Sequence, residues 1–495
     1  MTTPRANSLF RERLLPILGM LGMVISVFGL SMLLPLLISL AIGDRAQVAY
    51  DEAFLITLGT GLALWFLGRR RHQEMKSRDG FLLVVLIWTL LPVFAALPLL
   101  IYMPDLSFTD AYFETMSGLT TTGATTLTGL DHLPPSINIW RAQLHLLGGM
   151  GVIVLVVAVL PLLGIGGRQM FKAETPGPMK DTKLTPRMTE TAKGLWVVYL
   201  VFTSACFLAF WQFGMDWLDA LIHTFSVMGL GGFSSHDASF GHFDSVPLEI
   251  VAEVFALIAG MNFATHFLAL RQRSLSPYRL DPEIKWFLTV VLGSCLFLAL
   301  FLWSKNQYLD FPSALRYASF NTISMATTLG LANDDFNAWP YFTGLWLLLL
   351  CSFSTAAGST GGGIKMMRAM ILYKQVYREI LKLLHPNASL TTKLGDMVVE
   401  NKVTYAVLAF VFVYMVSIVA LSLLLTASGL DVFTAFSAVV ATINNTGPGL
   451  GRVGPATTYA VLDDFQTWVC TFSMLLGRLE LFTLLAVLTP AFWRK

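Results

Sequence analysis

The chain has 495 residues, 55% of them apolar and only 13% charged, with 33 basic against 31 acidic side chains and a mean hydropathy of +0.65. A soluble domain carries about 25% charge, so most of this surface has to face lipid. No basic face interleaved with aromatics exists outside the membrane-flanking loops, which excludes nucleic-acid binding.

The amino terminus carries Arg5, Arg11 and Arg13, followed by an apolar run from Leu14 to Ile42. That run is too long for the apolar core of a signal peptide and no A-x-A site follows, so it is expected to be a retained spanning helix. Nine further segments are able to cross about 30 Å of hydrocarbon. They are 53–68, the weakest of the set, then 81–102, 142–164, 195–213, 248–270, 285–303, 341–369, 403–426 and 466–489. Cys206, Cys295, Cys351 and Cys470 all fall inside these apolar runs without metal-ligand spacing. They read as small buried hydrophobes, not as a disulfide framework or a zinc site.

Lys and Arg fix the orientation. One set of loops carries Arg69, Arg70, Arg71, Lys76 and Arg78, then Arg168, Lys172, Lys180, Lys183, Arg187 and Lys193. It continues with Arg271, Arg273, Arg279 and Lys285, then Lys365, Arg368, Lys374, Arg378, Lys382, Lys393 and Lys402. The alternate loops hold few cations (Arg45, Arg141, Lys305, Arg316, Arg452) and are seeded with Asp105, Asp131, Asp216, Asp237, Asp244, Asp334, Asp335, Asp463 and Asp464. Ten spans with both termini cytoplasmic satisfy every loop, and the acidic loops then face outward.

Each of four outward loops contains a short segment ending on a glycine: Thr121-Thr122-Gly123, Leu230-Gly231-Gly232, Thr328-Leu329-Gly330 and Asn445-Thr446-Gly447. The anchor glycines are 109, 98 and 117 residues apart, so one unit recurs four times. A ten-residue amphipathic stretch precedes each: 108–117, 217–226, 315–324 and 432–441. Ten helical residues extend about 15 Å, half a bilayer, which suits a re-entrant pore helix. Irregular backbone after such a helix is tolerated at membrane depth only where it lines a wet or protein-enclosed cavity, so the four loops are expected to converge on one axis. There, rings of backbone carbonyls replace the hydration shell of a monovalent cation. Glycine supplies the positive φ that turns successive carbonyls inward, and the threonines add hydroxyl oxygens. The twelve residues of the four segments are the candidate ion ligands, with ordinary turns as the competing reading of any single one.

The segment closing each unit also repeats: Gly148-Gly149-Met150-Gly151, Ala259-Gly260-Met261-Asn262, Gly361-Gly362-Gly363-Ile364 and Leu476-Gly477-Arg478-Leu479. Small residues there permit close helix approach or a break. In the third unit the run 354–363, with Gly358, Gly361, Gly362 and Gly363, cannot form an unbroken helix. It is the candidate gate, a flexible loop beneath the filter, against helix packing as the alternative. Its G-x-x-x-x-G spacing lacks the Lys-Ser/Thr and the preceding strand of a phosphate-binding loop. Arg478, mid-span, needs a partner or a watery face. It is read either as a cationic barrier below the filter or as the partner of Glu480. Lys365 is read as meeting the cytoplasmic mouth or a partner, with snorkelling as the alternative. His145, His223 and His266 read as hydrogen-bonded core residues, and Glu253 as a weak candidate for proton coupling. No paired carboxylates, metal-ligand cluster or Ser/Lys dyad sits at matching depth, so the chain does not read as an enzyme.

The order pore helix, T-T-T-G-A-T, G-G-M-G in the next span and A-T-I-N-N-T-G-P-G-L-G in the fourth unit resembles the TrkH/TrkG family. These are membrane subunits of bacterial Trk potassium uptake systems, in the Trk/Ktr/HKT superfamily. The resemblance covers essentially the whole chain. It implies an all-α polytopic fold with a two-helix extension over 1–78 and pore repeats over 79–190, 191–280, 281–400 and 401–495, the third with a broken second helix. It further implies potassium as the bound substrate, a homodimer with one pore per subunit, a bacterial inner-membrane location and a cytoplasmic TrkA-type nucleotide-binding subunit. Its filter glycines match Gly123, Gly232, Gly330 and Gly447, its gating loop 356–363 and its pore-blocking arginine Arg478. Three of the four loops depart from a strict potassium-filter sequence, so selectivity over sodium rests on the resemblance. A potassium/proton symporter with alternating access is the alternative.

Overall fold

In hydrocarbon a backbone has to satisfy its own hydrogen bonds, so long apolar runs fold as helices. The computed structural model, which describes residues 4–69, 77–151, 188–388, 390–395 and 397–494, is accordingly all-helical. Its one ladder among the described residues pairs Lys393–Leu394 with Met397–Val398. Six helices are long and apolar enough to span: Leu14–Ile42, Gln47–Gly68, Arg78–Tyr102, Lys193–Gln212, Pro282–Ser304 and Asn401–Ala427. Side chains such as Leu55, Leu67, Phe412 and Leu423 stand exposed on their outer faces, where lipid replaces water as the apolar solvent.

Two expected spans are not continuous. The run 248–270 divides into Val246–Gly260 and Phe263–Gln272, bent by 94°, and 466–489 into Asp464–Arg478 and Phe482–Leu488, bent by 114°. In the first, Asn262 accepts from the Ala264 N–H at 2.9 Å and so caps a new helix. In the second, Glu480 and Leu481 both adopt left-handed φ, which ends the α-helix without a proline. In the first repeat, Pro135–Leu146 passes into a wide π-turn at Leu147–Gly151. The rest of 142–164, and the basic side chains Arg70, Arg71, Lys76, Arg168, Lys172, Lys180, Lys183 and Arg187, lie outside the described residues. In the third repeat Tyr341–Phe353 stops and the chain runs irregularly until Met366–Leu384 begins. Second helices are thus interrupted in repeats 2, 3 and 4, not in the third alone.

The four pore helices are Phe108–Leu119, Trp217–Gly229, Phe311–Ala326 and Val432–Ile443. At 12 to 16 residues they span roughly 18–24 Å, still short of the bilayer core. Each starts on a side-chain cap. Ser107, Asp216, Asp310 and Asp431 accept from Asp110, Leu218, Ser313 and Thr434 N–H groups respectively. Asp310 and Asp431, in their loops, are held below the ordinary carboxylate range by those backbone N–H donors.

The amino-terminal extension is a tight hairpin. A Cβ on Gly22 or Gly61 would meet the facing helix backbone: Gly61 would put it 2.7 Å from the Ser26 nitrogen. Small residues here let the helix axes approach where no hydrophobic driving force exists between them. Gly61→Val is therefore expected to cost about 1–3 kcal/mol of overpacking, read as a lower melting temperature of the detergent-purified protein. An unchanged melting curve would mean that the hairpin contributes nothing to the folded unit.

Candidate functional site

All four pore helices end in the same backbone figure. The N–H groups of Thr122, Gly231, Leu329 and Thr446 reach back to the carbonyls of Ser117, Ser226, Ser324 and Ala441, and the N–H groups of Thr121, Leu230, Thr328 and Asn445 to Gly118, Val227, Met325 and Thr442. This six-to-one plus five-to-two pattern is a Schellman motif. Its left-handed position falls on Thr121, Leu230, Thr328 and Asn445, with φ of 54°, 52°, 63° and 53°. Non-glycine residues hold that conformation at a cost of about 1–2 kcal/mol, so surrounding contacts have to impose it.

Two residues on, Gly123, Gly232, Gly330 and Gly447 take φ of 80°, 88°, 81° and 93°. A Cβ on Gly123 would strike the Gly231 carbonyl oxygen, one on Gly232 that of Leu329, one on Gly330 that of Thr446, and one on Gly447 that of Thr122, none farther than 2.6 Å. The first loop thus abuts the second, the second the third, the third the fourth, and the fourth closes on the first. The four segments form one ring whose contacts are made by main-chain atoms.

The expected hydroxyl ligands are largely engaged by the scaffold. Thr122 Oγ1 lies 2.8 Å from Thr120 Oγ1 and accepts from Asn445 Nδ2 at 3.0 Å. Thr328 Oγ1 accepts from Gly362 N–H at 3.0 Å, and Thr121 Oγ1 from Arg478 at 3.1 Å. Thr446 Oγ1 is buried with no hydrogen-bond partner among the described residues. Carbonyl oxygens are the polar groups that this ring offers in number.

A second, unforeseen repeat ties the ring to its helices. Nine residues before each anchor glycine stand Glu114, His223, Asn321 and Ala438. The first three bind the strand leaving the ring: Glu114 accepts from Thr125 Oγ1 and Thr126 N–H, His223 pairs with Ser234 Oγ at 3.0 Å, and Asn321 donates to Asn333 at 2.7 Å. In the fourth repeat Ser437, one position earlier, exchanges hydrogen bonds with the Leu450 main chain. Arg141, expected in an outward loop, is 1% exposed behind this strand. It pairs with Glu114 at 2.8 Å and donates to the Ser234 carbonyl at 3.2 Å, joining repeats 1 and 2. The regular spacing of polar residues in the pore helices was the available signal. Nothing in the sequence marks Arg141 as its partner.

Beneath the ring the small residues of the second helices meet the pore-helix ends. A Cβ on Gly148, Gly362 or Gly477 would enter the carbonyls of Leu119, Asn444 and Ile443. Gly361 and Gly363 are less tightly confined, with nearest atoms at 2.6 and 2.8 Å, and Gly358, at φ 79°, packs on Asn262. The irregular run of repeat 3 crosses to repeat 2: Ala356 N–H donates to the Gly260 carbonyl, Thr360 Oγ1 to the Met228 carbonyl, and Phe263 N–H to the Gly358 carbonyl. Glu283, 1% exposed, accepts through Oε1 from Ala357 N–H at 2.8 Å and Met367 N–H at 2.9 Å, clamping both flanks of the run. Lys365 neither snorkels nor faces a docking surface; it is 4% exposed and donates to the Gly361 carbonyl.

Arg478 does not pair with Glu480, which binds Arg368 at 2.6 Å. Its guanidinium donates instead to Thr121 Oγ1, the Thr360 carbonyl, the Gly149 carbonyl at 3.0 Å and the Gly148 carbonyl. It thereby bridges the first and third repeats, which stand opposite each other in the ring. His223 and His266 are hydrogen-bonded as expected. His145 is not: neither ring nitrogen has a partner among the described residues. It stacks on Phe233 at 4.3 Å and fills the space that a Cβ on Gly231 would need. Glu253 accepts from Ser319 Oγ at 2.9 Å, on the outer side of the third pore helix.

The chain resembles known proteins over nearly all its length. A family model described as cation transport protein, TrkH, matches residues 46–494. "Trk system potassium uptake protein TrkH" of Salmonella typhimurium is 46% identical, with 96% of this chain and 98% of that protein covered. "Trk system potassium uptake protein TrkG" of Escherichia coli is 38% identical at 96% and 98% coverage. The crystal structure of the potassium transporter TrkH from Vibrio parahaemolyticus superposes with a TM-score of 0.88 at 43% identity, covering 97% of this chain and 100% of that one.

The buried Glu114–Arg141 pair is expected to be costly to split, about 3–5 kcal/mol, because either partner alone leaves a charge without its counter-ion. Arg141→Met should lower the melting temperature sharply, and Arg141→Met combined with Glu114→Gln should recover part of the loss. Strictly additive effects in the thermal-melt cycle would show the pair to be uncoupled.

Proposed function

The chain belongs to the TrkH family of cation transport proteins, and from that premise we propose that it takes up potassium through the carbonyl ring at Gly123, Gly232, Gly330 and Gly447. It is a membrane transporter and not an enzyme. The observation that carries the reading is the cyclic glycine-to-carbonyl contact. A monovalent cation leaving water needs neutral oxygens at several positions, since an unsolvated charge in low dielectric costs tens of kcal/mol. Carbonyls meet that need without an ion pair that would trap the ion. The pore helices turn their carboxyl ends, with partial negative charge, towards the ring.

The ligand layers proposed are Thr121, Leu230, Thr328 and Asn445, then Thr122, Gly231, Leu329 and Thr446, then the four anchor glycines. The gate proposed is the run containing Gly358, Gly361, Gly362 and Gly363, with Lys365 and Arg478. The guanidinium is a fixed positive charge under the ring, held in part by the Thr360 carbonyl of that run. Withdrawal of the run breaks that bond and frees the cation's path; its return restores an electrostatic barrier. The names of the relatives, which place them in a Trk system, support a separate regulator. We assign that role to a cytoplasmic nucleotide-binding subunit of the TrkA kind. It would dock on the basic loops of a homodimer in the bacterial inner membrane, both termini cytoplasmic.

Reconstituted vesicles test the reading. Gly232→Ser or Gly447→Ser is expected to lower potassium-over-sodium discrimination about tenfold, ~1.4 kcal/mol, because neither the positive φ nor the adjacent carbonyl admits a Cβ. Unchanged selectivity would remove the ring from the filter role. Arg478→Ala should raise potassium flux severalfold at equal protein content; a lower flux from well-folded protein would make the arginine a scaffold element. Under crossed potassium and pH gradients the current should reverse with potassium alone. Reversal that follows both ions would establish proton symport instead.

A further inference from the structure

On the side of the ring away from the run 354–365, two histidines and an aspartate from different repeats converge. Asp131 sits eight residues after Gly123, and His236 four residues after Gly232. His242 lies on the short 3-10 turn Ser239–Phe243. One ligand atom from each of Asp131, His236 and His242 lies within 4.8 Å of the others. We propose that these three side chains form a divalent transition-metal site of zinc type, clasping the outer loops of repeats 1 and 2.

The geometry around His236 is that of a prepared ligand. Its Nδ1 is 2.5 Å from Asp131 Oδ1, and its Nε2 faces Asp219 Oδ2 at 3.3 Å. Asp219 on Nε2 holds the ring as the outer-shell carboxylate of a metal-bound histidine does; Nδ1 now shares a proton with Asp131, and a metal binding there displaces it. Asp219 is itself held by Ser235 Oγ at 2.6 Å. The other oxygen of Asp131 accepts from Asp237 N–H at 3.1 Å, which aims Oδ1 at the imidazoles. His242 stacks on His236 with ring centroids 3.5 Å apart and planes 3° from parallel. It is exposed, and a side-chain rotation takes it out of the stack to point its lone pair at the shared centre.

Two imidazoles and one carboxylate suit zinc, copper or nickel, whereas calcium and magnesium want oxygen donors throughout. Zinc bonds of about 2.0–2.2 Å in a tetrahedral site set donor atoms roughly 3.3–3.6 Å apart, so His236 Nδ1 and Asp131 Oδ1, hydrogen-bonded at 2.5 Å, have to separate as His242 draws in. The fourth position stays open to water. Ser234, two residues before His236, is bonded to His223 and Arg141, so a bound metal stiffens the strand that leaves the ring. It also adds positive charge where cations approach. This effect on flux rests on the transport reading above; metal binding itself does not.

Isothermal titration of zinc chloride into the purified full-length protein in detergent tests the site. One site per chain with micromolar or tighter affinity is expected, undisturbed by millimolar magnesium. His236→Ala and His242→Ala should each weaken it at least tenfold, and Asp131→Asn less. His242→Gln, with a melting temperature equal to that of the wild type, guards against a folding artefact. No saturable zinc binding, or equal affinity in the wild type and the two histidine variants, overturns the site. In vesicles, external zinc should at least halve potassium flux, reversibly with EDTA, and should spare His242→Ala. Zinc bound by calorimetry with flux unchanged upholds the site and overturns its link to transport.

Discussion

The structure depends on an approach that a single methyl group would forbid. Four main-chain carbonyls press against four α-carbons that carry no Cβ, in a cycle that closes only because every member is glycine. Backbone atoms so placed are not held by their own preferences; left-handed threonine, leucine and asparagine in the adjoining positions work against them. The pore-helix caps, the polar ties from the ninth position and the buried Glu114–Arg141 pair supply the opposing constraint. The ninth-position ties bind the segments leaving the ring in repeats 1 to 3 to their own pore helices, and Arg141 carries the first repeat on to the Ser234 carbonyl of the second.

The charged groups below the ring follow the same economy of partners. Arg478 is satisfied by three carbonyls and a hydroxyl, Lys365 by a carbonyl, and Glu283 by two backbone N–H groups. These contacts to neutral groups contrast with the Arg368–Glu480 ion pair nearby.

Much of this was legible from residue order. The fourfold spacing of glycines, the short amphipathic helices before them and the low charge at membrane depth all follow from patterns that hydrocarbon imposes locally. The interruption at Gly358 to Gly363 was legible too, since glycine is dense there. The bends after Gly260 and at Leu479–Leu481 were legible only as one of two options, since small residues there permit close helix approach or a break and apolar composition does not choose between a straight helix and a broken one. Arg141 was misplaced for a related reason. Proximity to an acidic loop suggested exposure, but its partner Glu114 lies 27 positions away and only folding brings the two together. Lys365 and His145 were misjudged likewise, one by the habits of its side chain and the other by expecting a hydrogen bond where ring stacking suffices.

Arg478 has no counterpart in the other repeats, where Gly149, Met261 and Gly362 or Gly363 stand near the same depth. A channel assembled from four identical chains could not possess such a residue singly. Symmetry would copy it to every quadrant and crowd four like charges around one passage. Joining the quadrants covalently removes that obligation, and a single cation can stand beneath the ring beside a single irregular segment, as the gate we propose requires.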